Sequence, residues 1–406
     1  MTTEAESAAI VRHQDPAAAP RLTTLPPLSL YVHFPWCLRK CPYCDFNSHA
    51  LTGPLPEDEY VAALLADLDS ALPSIWGRRV GTLFLGGGTP SLFSPEAIEA
   101  LMSGIRARVN LLPDAEITLE ANPGSFEAER FRGYRDAGVT RLSLGVQSFD
   151  DASLAALGRI HGAQEARAAA ASAVEIFAST NLDLMFALPG QSAAAALADL
   201  KTALDFGPQH LSCYHLSLEP NTWFARHPPA LPDADAAAAI EEAVRGRLAD
   251  AGYEHYEVSA HARPGFACRH NLNYWQFGDY LGLGAGAHGK ISFPDRIVRQ
   301  TRARNPKDYL AAVSAGRSIE TEKTVPVSDL PFEFMLNALR LNRGVPLALF
   351  AQHCGLAPAA LLPALQIART RGLLAPDARR LLPTELGRRF LDDLVALFLP
   401  EPERSL

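Results

Sequence analysis

Six short runs of apolar, β-branched and aromatic residues punctuate the first half of the chain. They fall at Leu30–Phe34, Thr82–Leu85, Glu116–Glu120, Arg141–Val146, Asn181–Phe186 and His210–Leu216. Between them lie stretches with helical periodicity, around 57–72, 95–109, 126–137, 164–178 and 192–205. The second of these opens on Ser94-Pro95-Glu96, which supplies a cap, a proline suited to the first turn and an early acid. Strand alternating with helix in this way predicts βα units around a parallel sheet. A run such as TLFLG (82–86) is apolar on both faces, as expected of a buried parallel strand.

Glycines and polar residues gather just past these strands. A cysteine cluster follows the first, and Gly86-Gly87-Gly88-Thr89 closes the second. The third ends in Glu120-Ala121-Asn122 and the fourth in Gln147; the fifth carries Asp183 and runs into Leu188-Pro189-Gly190. In barrels of βα units the carboxyl ends of the strands carry the active site. A doubly wound sheet with its ligand at the switch point is the alternative, but ordinary loop polarity explains one or two of these positions, not five in succession. The expectation is an α/β chain built on a partial (β/α)6 TIM-like barrel over about 28–250. Residues 1–27, with prolines at 16, 20, 26 and 27, read as a disordered or polyproline-like leader.

From about 250 the pattern changes. Tyr253–Val258 reads as another strand, followed by a loop with Cys268-Arg269-His270-Asn271 and an aromatic stretch to Tyr280. A glycine run then occupies 282, 284, 286 and 289, and this strand–loop region extends over 251–325. Over 326–400 the order helix (329–341), helix (346–353), helix (358–371), hairpin (373–383), helix (384–398) predicts a small winged-helix-like, α-rich C-terminal domain.

Composition narrows the function classes. The 406 residues are 48% hydrophobic and 20% charged, enough for a large core, which excludes a disordered or collagen-like chain. A net charge of −8 provides no field to draw nucleic acid. No apolar run reaches the length of a membrane span, which leaves peripheral membrane association at most. The acidic stretch Met1 to Ser7 lacks the basic and apolar regions of a secretory signal. Six cysteines are too few for a disulfide scaffold, and three fall within eight residues, so metal chemistry in a reducing, cytoplasmic compartment is expected. Arg369, Arg371, Arg379, Arg380, Arg388 and Arg389 form a basic cluster, but lysine occurs only five times in the chain. Arginine is its general surface cation, and no nucleic-acid partner is expected.

Cys37-x3-Cys41-x2-Cys44 is the sharpest chemical signal. Its spacing would put three thiols on one helix face, but Pro35 and Pro42 interrupt a helical ladder, so the segment reads as a loop wrapped around a ligand. Structural zinc takes four closed ligands, commonly from paired knuckles; there is no second knuckle, although His33 or His49 would complete a set. A cubane iron–sulfur cluster normally takes four thiolates, and three would leave one iron open to an exchangeable ligand.

The CxxxCxxC loop, with Tyr43 before its last cysteine, resembles the radical S-adenosylmethionine superfamily. The segments YVHFPWCLRKCPYCDF, LGGGTPS, LSLGVQSF, DLMFALPGQ, ARPGFACRHNLNYW and YLGLGAGAHG together resemble the HemW haem-chaperone family, over about 28–400. That family is the sister of oxygen-independent coproporphyrinogen III oxidase. The resemblance implies a radical S-adenosylmethionine barrel with a [4Fe–4S] cluster on Cys37, Cys41 and Cys44. Its open iron would chelate the amino and carboxylate groups of S-adenosylmethionine. By position, Tyr31, Gly87 and Glu120 would hold that cofactor, while Tyr43, Gly88, Thr89, Gln147, Arg159 and Asp183 match a second cofactor site of the oxidase. The residue types suit these tasks. Glycine admits close backbone approach, Glu120 and Asp183 can accept from ribose hydroxyls or an ammonium, and Arg159 can pair with a carboxylate.

Two features separate the sister families. The oxidase carries a further cysteine two places after the third, where this chain has Phe46, which argues against porphyrinogen decarboxylation. His270-Asn271-Leu272-Asn273-Tyr274-Trp275 reproduces the HNxxYW signature of the chaperone branch. The implied function is to bind haem and pass it to an acceptor protein, with an electron donor such as a flavodoxin serving the cluster. The alternative is a radical S-adenosylmethionine enzyme acting on porphyrinogens. His270 and Cys268 are candidate haem ligands, Asn271, Tyr274 and Trp275 candidate surroundings, and His288 a second candidate for the same cavity. The plainer reading is that His270 and Asn271 satisfy loop backbone while the aromatics cover the barrel.

Overall fold

The computed structural model describes residues 19–124 and 127–400. The six expected strands form as β1 (Leu28–Phe34), β2 (Arg79–Gly87), β3 (Asn110–Ala121), β4 (Arg141–Gln147), β5 (Ser179–Phe186) and β6 (His210–His215). They lie side by side in chain order, each parallel to the next. The segments between them are helices: α1 (Glu57–Ile75), α2 (Pro95–Arg108), α3 (Glu127–Asp136), α4 (Ala163–Ile176) and α5 (Ala193–Phe206). Phe126, where the third helix was expected to begin, lies outside the described residues. Ser94 caps α2 by accepting from Ala97 N–H at 3.2 Å, and Ser192 caps α5 in the same way. Tyr60, Leu64, Leu68 and Ile75 of α1 join Leu30, Val32, Leu83, Leu85, Leu119 and Leu144 of the strands in one buried core. The fold is the expected partial (β/α)6 barrel.

The sheet continues past both barrel edges. Beyond helix α6 (Ala234–Asp250), whose sequence reads only as alanine-rich low complexity, β7 (Glu254–Glu257) and β8 (Ala260–Ala262) fold back antiparallel on β6. On the other side β9 (Asp279–Leu283) pairs parallel with β1, and β10 (His288–Phe293), β11 (Arg296–Thr301) and β12 (Thr321–Thr324) extend it antiparallel. The order across the twelve strands is β12-β11-β10-β9-β1-β2-β3-β4-β5-β6-β8-β7. The glycine run is the β9–β10 junction. A methyl group on Gly282 would sit 2.0 Å from the His288 carbonyl oxygen, so only glycine admits β10 this close.

The segment read as a loop around His270 is instead helix α7 (Arg269–Trp275), which packs against β1, β2 and β9. Its cap does not come from its own sequence. The Glu116 carboxylate on β3 accepts from Arg269 N–H (3.1 Å) and His270 N–H (3.0 Å).

The C-terminal unit has helices α8 (Leu330–Ala338), α9 (Ala348–Cys354) and α10 (Leu362–Thr370) and a short pairing of Val345–Pro346 with Arg380–Leu381. The last expected helix is broken at Phe390 into Glu385–Arg389 and Leu391–Ala396. Phe334, Phe350 and Leu365 share a core with Tyr256, Phe277 and Ile297 of the sheet extension. Residues 19–27, read as part of the leader, are tied to the body: Arg21 N–H donates to Gly355 O, Leu22 N–H donates to Pro294 O, and Leu22 is buried in that same core. The remainder of the leader lies outside the described residues. Among the described residues no single helix is long and apolar enough to cross a membrane.

Candidate functional site

The cysteine loop leaves β1 and is pinned at both ends. Trp36–Cys37 pairs with His49–Ala50, His49 N–H donates to Pro35 O (2.7 Å), and Leu51 N–H donates to Cys37 O (2.8 Å). The loop also leans on the end of β2, where Gly88 N–H donates to Phe34 O (2.7 Å) and Thr89 N–H to Trp36 O (2.8 Å). A methyl group on Gly88 would lie 2.6 Å from the Trp36 carbonyl oxygen. Cys37, Cys41 and Cys44 are unpaired and half-buried. Donors point at their sulfurs: Thr89 Oγ1–H to Cys37 (3.3 Å), Arg159 Nη1–H to Cys41 (3.6 Å), and the Ser48 hydroxyl beside Cys44 (3.7 Å). Burial pushes the Cys37 and Cys44 thiols up. Among the described residues no three of His, Cys, Asp and Glu gather tightly enough for a single metal ion. The loop offers three sulfurs, each with a polar neighbour, and three thiolates would leave one iron of a cubane cluster open to an exchangeable ligand.

Beneath the loop lies a cavity of about 150 Å³. Its walls include Cys37, Cys41, Cys44, Tyr43, Gly87, Gly88, Thr89, Glu120, Gln147, Arg159 and Asp183. The strand ends therefore converge as the sequence predicts. Glu120 accepts from Gly87 N–H at 3.0 Å. Burial, reinforced by the charge of Asp183, pushes its carboxyl up to about 8. Asp183 is also raised by burial, although Asn181 Nδ2–H donates to it at 2.7 Å. Arg159 Nη2–H donates to Asn122 Oδ1 (2.6 Å) and Gly145 O (2.7 Å), and Asn122 Nδ2–H donates to Thr89 Oγ1 (2.9 Å). Asn122 thus links two of the groups that touch the cysteines. Sequence reasoning noted it at a strand end and gave it no role. Gln147 closes β4 at φ +70°, a left-handed conformation that costs a non-glycine residue energy and concentrates at functional sites.

A second, larger cavity of about 830 Å³ adjoins the first and shares Phe46, Gly87 and Glu120 with it. Tyr31, His33, Tyr274, Trp275, Tyr280, His288, Arg299, Arg304 and Leu336 line it. Tyr274 meets Tyr280 edge-on at 4.5 Å, and Tyr31 O–H donates to His33 Nδ1 (3.0 Å), whose other nitrogen donates to Asn47 O (2.8 Å). Tyr31 thus stands in this cavity, beside the smaller one.

The haem candidates divide. Tyr274, Trp275 and His288 line the larger cavity; Cys268, His270 and Asn271 do not. His270 is buried under the barrel floor. Thr82 spends its hydroxyl proton on Ser29, so His270 Nδ1–H donates to Thr82 Oγ1 (2.8 Å) and Nε2 accepts from the Tyr274 hydroxyl (3.0 Å). Burial, then the Arg141 charge, pushes the His270 pKa down to about 3. Its neutral ring has both nitrogens committed. Cys268 is fully buried, its sulfur is held by Glu116 (3.5 Å) and the Asn271 N–H, and burial pushes the thiol up to about 12. The expectation that these two ligate haem is therefore corrected: α7 plugs the barrel and spends their polar atoms on packing. Tyr280, Arg299, Arg304 and Leu336 were missed as cavity residues, because separate elements bring them together and no local motif marks them.

A sequence profile of the Radical SAM superfamily matches residues 31–203, and one of the HemN C-terminal domain matches residues 325–390. Fold and site thus define a radical S-adenosylmethionine protein with a HemN-type C-terminal domain. Among solved structures, the chain is similar to the coproporphyrinogen III oxidase (HemN) of Escherichia coli, with a TM-score of 0.78 and 26% identity over 92% of this chain and 90% of that one. Heme chaperone HemW of Escherichia coli (strain K12) is 51% identical, covering 94% of this chain and 100% of the relative. Heme chaperone HemW of Mycobacterium tuberculosis (strain H37Rv) is 38% identical over 96% and 100%. The chain belongs to the HemW haem-chaperone family.

Proposed function

We propose that this chain is a haem chaperone, which holds haem in its larger cavity and passes it to an acceptor protein. The observation that carries this reading is the adjacency of the two cavities: an aromatic-walled chamber opens directly beside the cysteine loop. The name shared by the relatives at 51% and 38% identity supports it. Cys37, Cys41 and Cys44 would hold a [4Fe–4S] cluster, with Thr89 and Arg159 tuning it through hydrogen bonds to sulfur. Tyr31, Tyr43, Gly87, Gly88, Thr89, Glu120, Gln147, Arg159 and Asp183 would surround S-adenosylmethionine. A cluster held there would supply the reducing electron for chemistry at that cofactor. Glu120, held protonated near neutral pH by burial, would hydrogen-bond the cofactor's iron-bound amino group or its ribose hydroxyls.

The second reading is porphyrinogen oxidation, favoured by the likeness of fold to the oxidase. Against it stands Phe46, exposed on the lip between the cavities where the oxidase carries a further cysteine. Anaerobic reconstitution tests the shared core, with about four irons expected per chain and none retained after Cys37→Ala, Cys41→Ala or Cys44→Ala. Coproporphyrinogen III turnover separates the readings. The chaperone reading expects no efficient decarboxylation; brisk turnover would transfer the chain to the enzyme class.

A further inference from the structure

Resting on the haem-chaperone reading, we infer that His288 is the side chain that ligates haem iron in the larger cavity, and that Arg304 takes a propionate. A cavity of about 830 Å³ lies in the size range of small-molecule sites. Protein ligands to haem iron are imidazole, thiolate, thioether or phenolate, so the donors on the cavity walls can be sorted by what they already do. Tyr31 O–H is spent on His33, Tyr274 O–H on His270, and the Tyr280 oxygen accepts from Arg299 (2.7 Å). Burial raises all three phenols, so none offers phenolate. His33 has both nitrogens engaged. His288 remains. It is exposed at the start of β10, and among the described residues its ring makes no hydrogen bond.

The sheet fixes its aim. His288 pairs across the ladder with Thr301, and Lys290 two places on pairs with Arg299, so alternation puts all four side chains on one face. His288, Thr301 and Arg299 line the cavity from that face, while Lys290 is buried against Asp279 (2.9 Å). Gly282 presses on the His288 backbone and sets its height, because any side chain there would strike it. Burial, with Arg299 and Arg304 nearby, lowers the imidazole pKa and favours the neutral form that binds iron. Tyr274, Trp275 and Leu336 supply apolar surface for the porphyrin plane.

Haem also brings two carboxylates that need cations. Arg299 is already committed to Glu333 (2.6 Å) and Tyr280. Arg304 is exposed, and among the described residues its guanidinium has no ion pair. Its carbonyl is held by Asn47 Nδ2–H (2.9 Å) and His49 (3.3 Å), which fixes it beside the cysteine loop. Pairing with a propionate would be charge-assisted.

The test is haem titration of the reconstituted protein, followed by Soret absorbance and by electron paramagnetic resonance of the ferric haem. The parent should saturate at one haem with a histidine-ligated spectrum. His288→Ala should weaken binding about tenfold or more and lose that spectrum. His288→Cys should change it to a thiolate-ligated one. Arg304→Ala should weaken binding severalfold with the spectrum unchanged, and His270→Ala, checked for folding, should keep the parental spectrum. Because His288 is exposed at a strand end, its variants should fold. If the parent binds haem and both His288 variants keep its spectrum, the ligand assignment is overturned and the haem reading stands. If the parent binds no haem, both fall together.

Discussion

Glu120 illustrates what one residue reveals in the sequence and what it conceals. Its place at a strand end marks it as a site residue, but its proton affinity depends on the burial and the neighbouring Asp183 that the fold supplies. The folded-state pKa of about 8 lies above the ordinary carboxyl value, so the folded chain keeps a proton that the unfolded chain has released. Stability of the unliganded protein therefore falls as pH climbs between those two values and levels off above about 8. Glu120→Gln removes this penalty. Its Tm relative to the parent should rise across that interval and stay constant beyond it, as thermal denaturation at a series of pH values would show. A difference independent of pH would refute the raised pKa. His270 marks the opposite limit. Its motif is plain in the sequence, yet its partners Thr82 and Tyr274 lie on different elements, and only the fold shows the ring to be spent.

At the scale of elements, the βα repeat was legible because each strand and helix carries its own period and its own caps, as Ser94 and Ser192 do. Elements stabilised from outside were not legible. Helix α7 is capped by Glu116, about 150 residues away along the chain, and β10 to β12 depend on register with neighbours rather than on a strong apolar alternation. The cysteine loop depends on contact as much as on motif. Gly88→Ala would press a methyl group against the Trp36 carbonyl, a backbone atom that cannot swing aside. The loop should shift, and iron bound after reconstitution should fall below about half of the parental content while circular dichroism is unchanged. Gly81→Ala, on β2 a few residues earlier with open space around it, is the control and should bind iron as the parent does.

Across the whole molecule the sheet extension is the link: Leu281 and Val298 belong to the barrel's core, while Tyr256 and Ile297 belong to the core of the C-terminal unit, which residues 19–27 help to close. Sequence patterning suggested separate segments there, since a short apolar residue between prolines gives no sign of docking. Leu22→Ala should lower stability by about 2–3 kcal/mol in chemical denaturation, whereas Thr23→Ala at the exposed neighbour should have little effect. At this scale the central claim is that one chain carries a cluster and a haem side by side. Native mass spectrometry of the anaerobically reconstituted protein, mixed with haem, tests it most directly. The account predicts a dominant species in which a single chain bears one [4Fe–4S] cluster and one haem together. Haem found only on cluster-free chains, or on none, would contradict it.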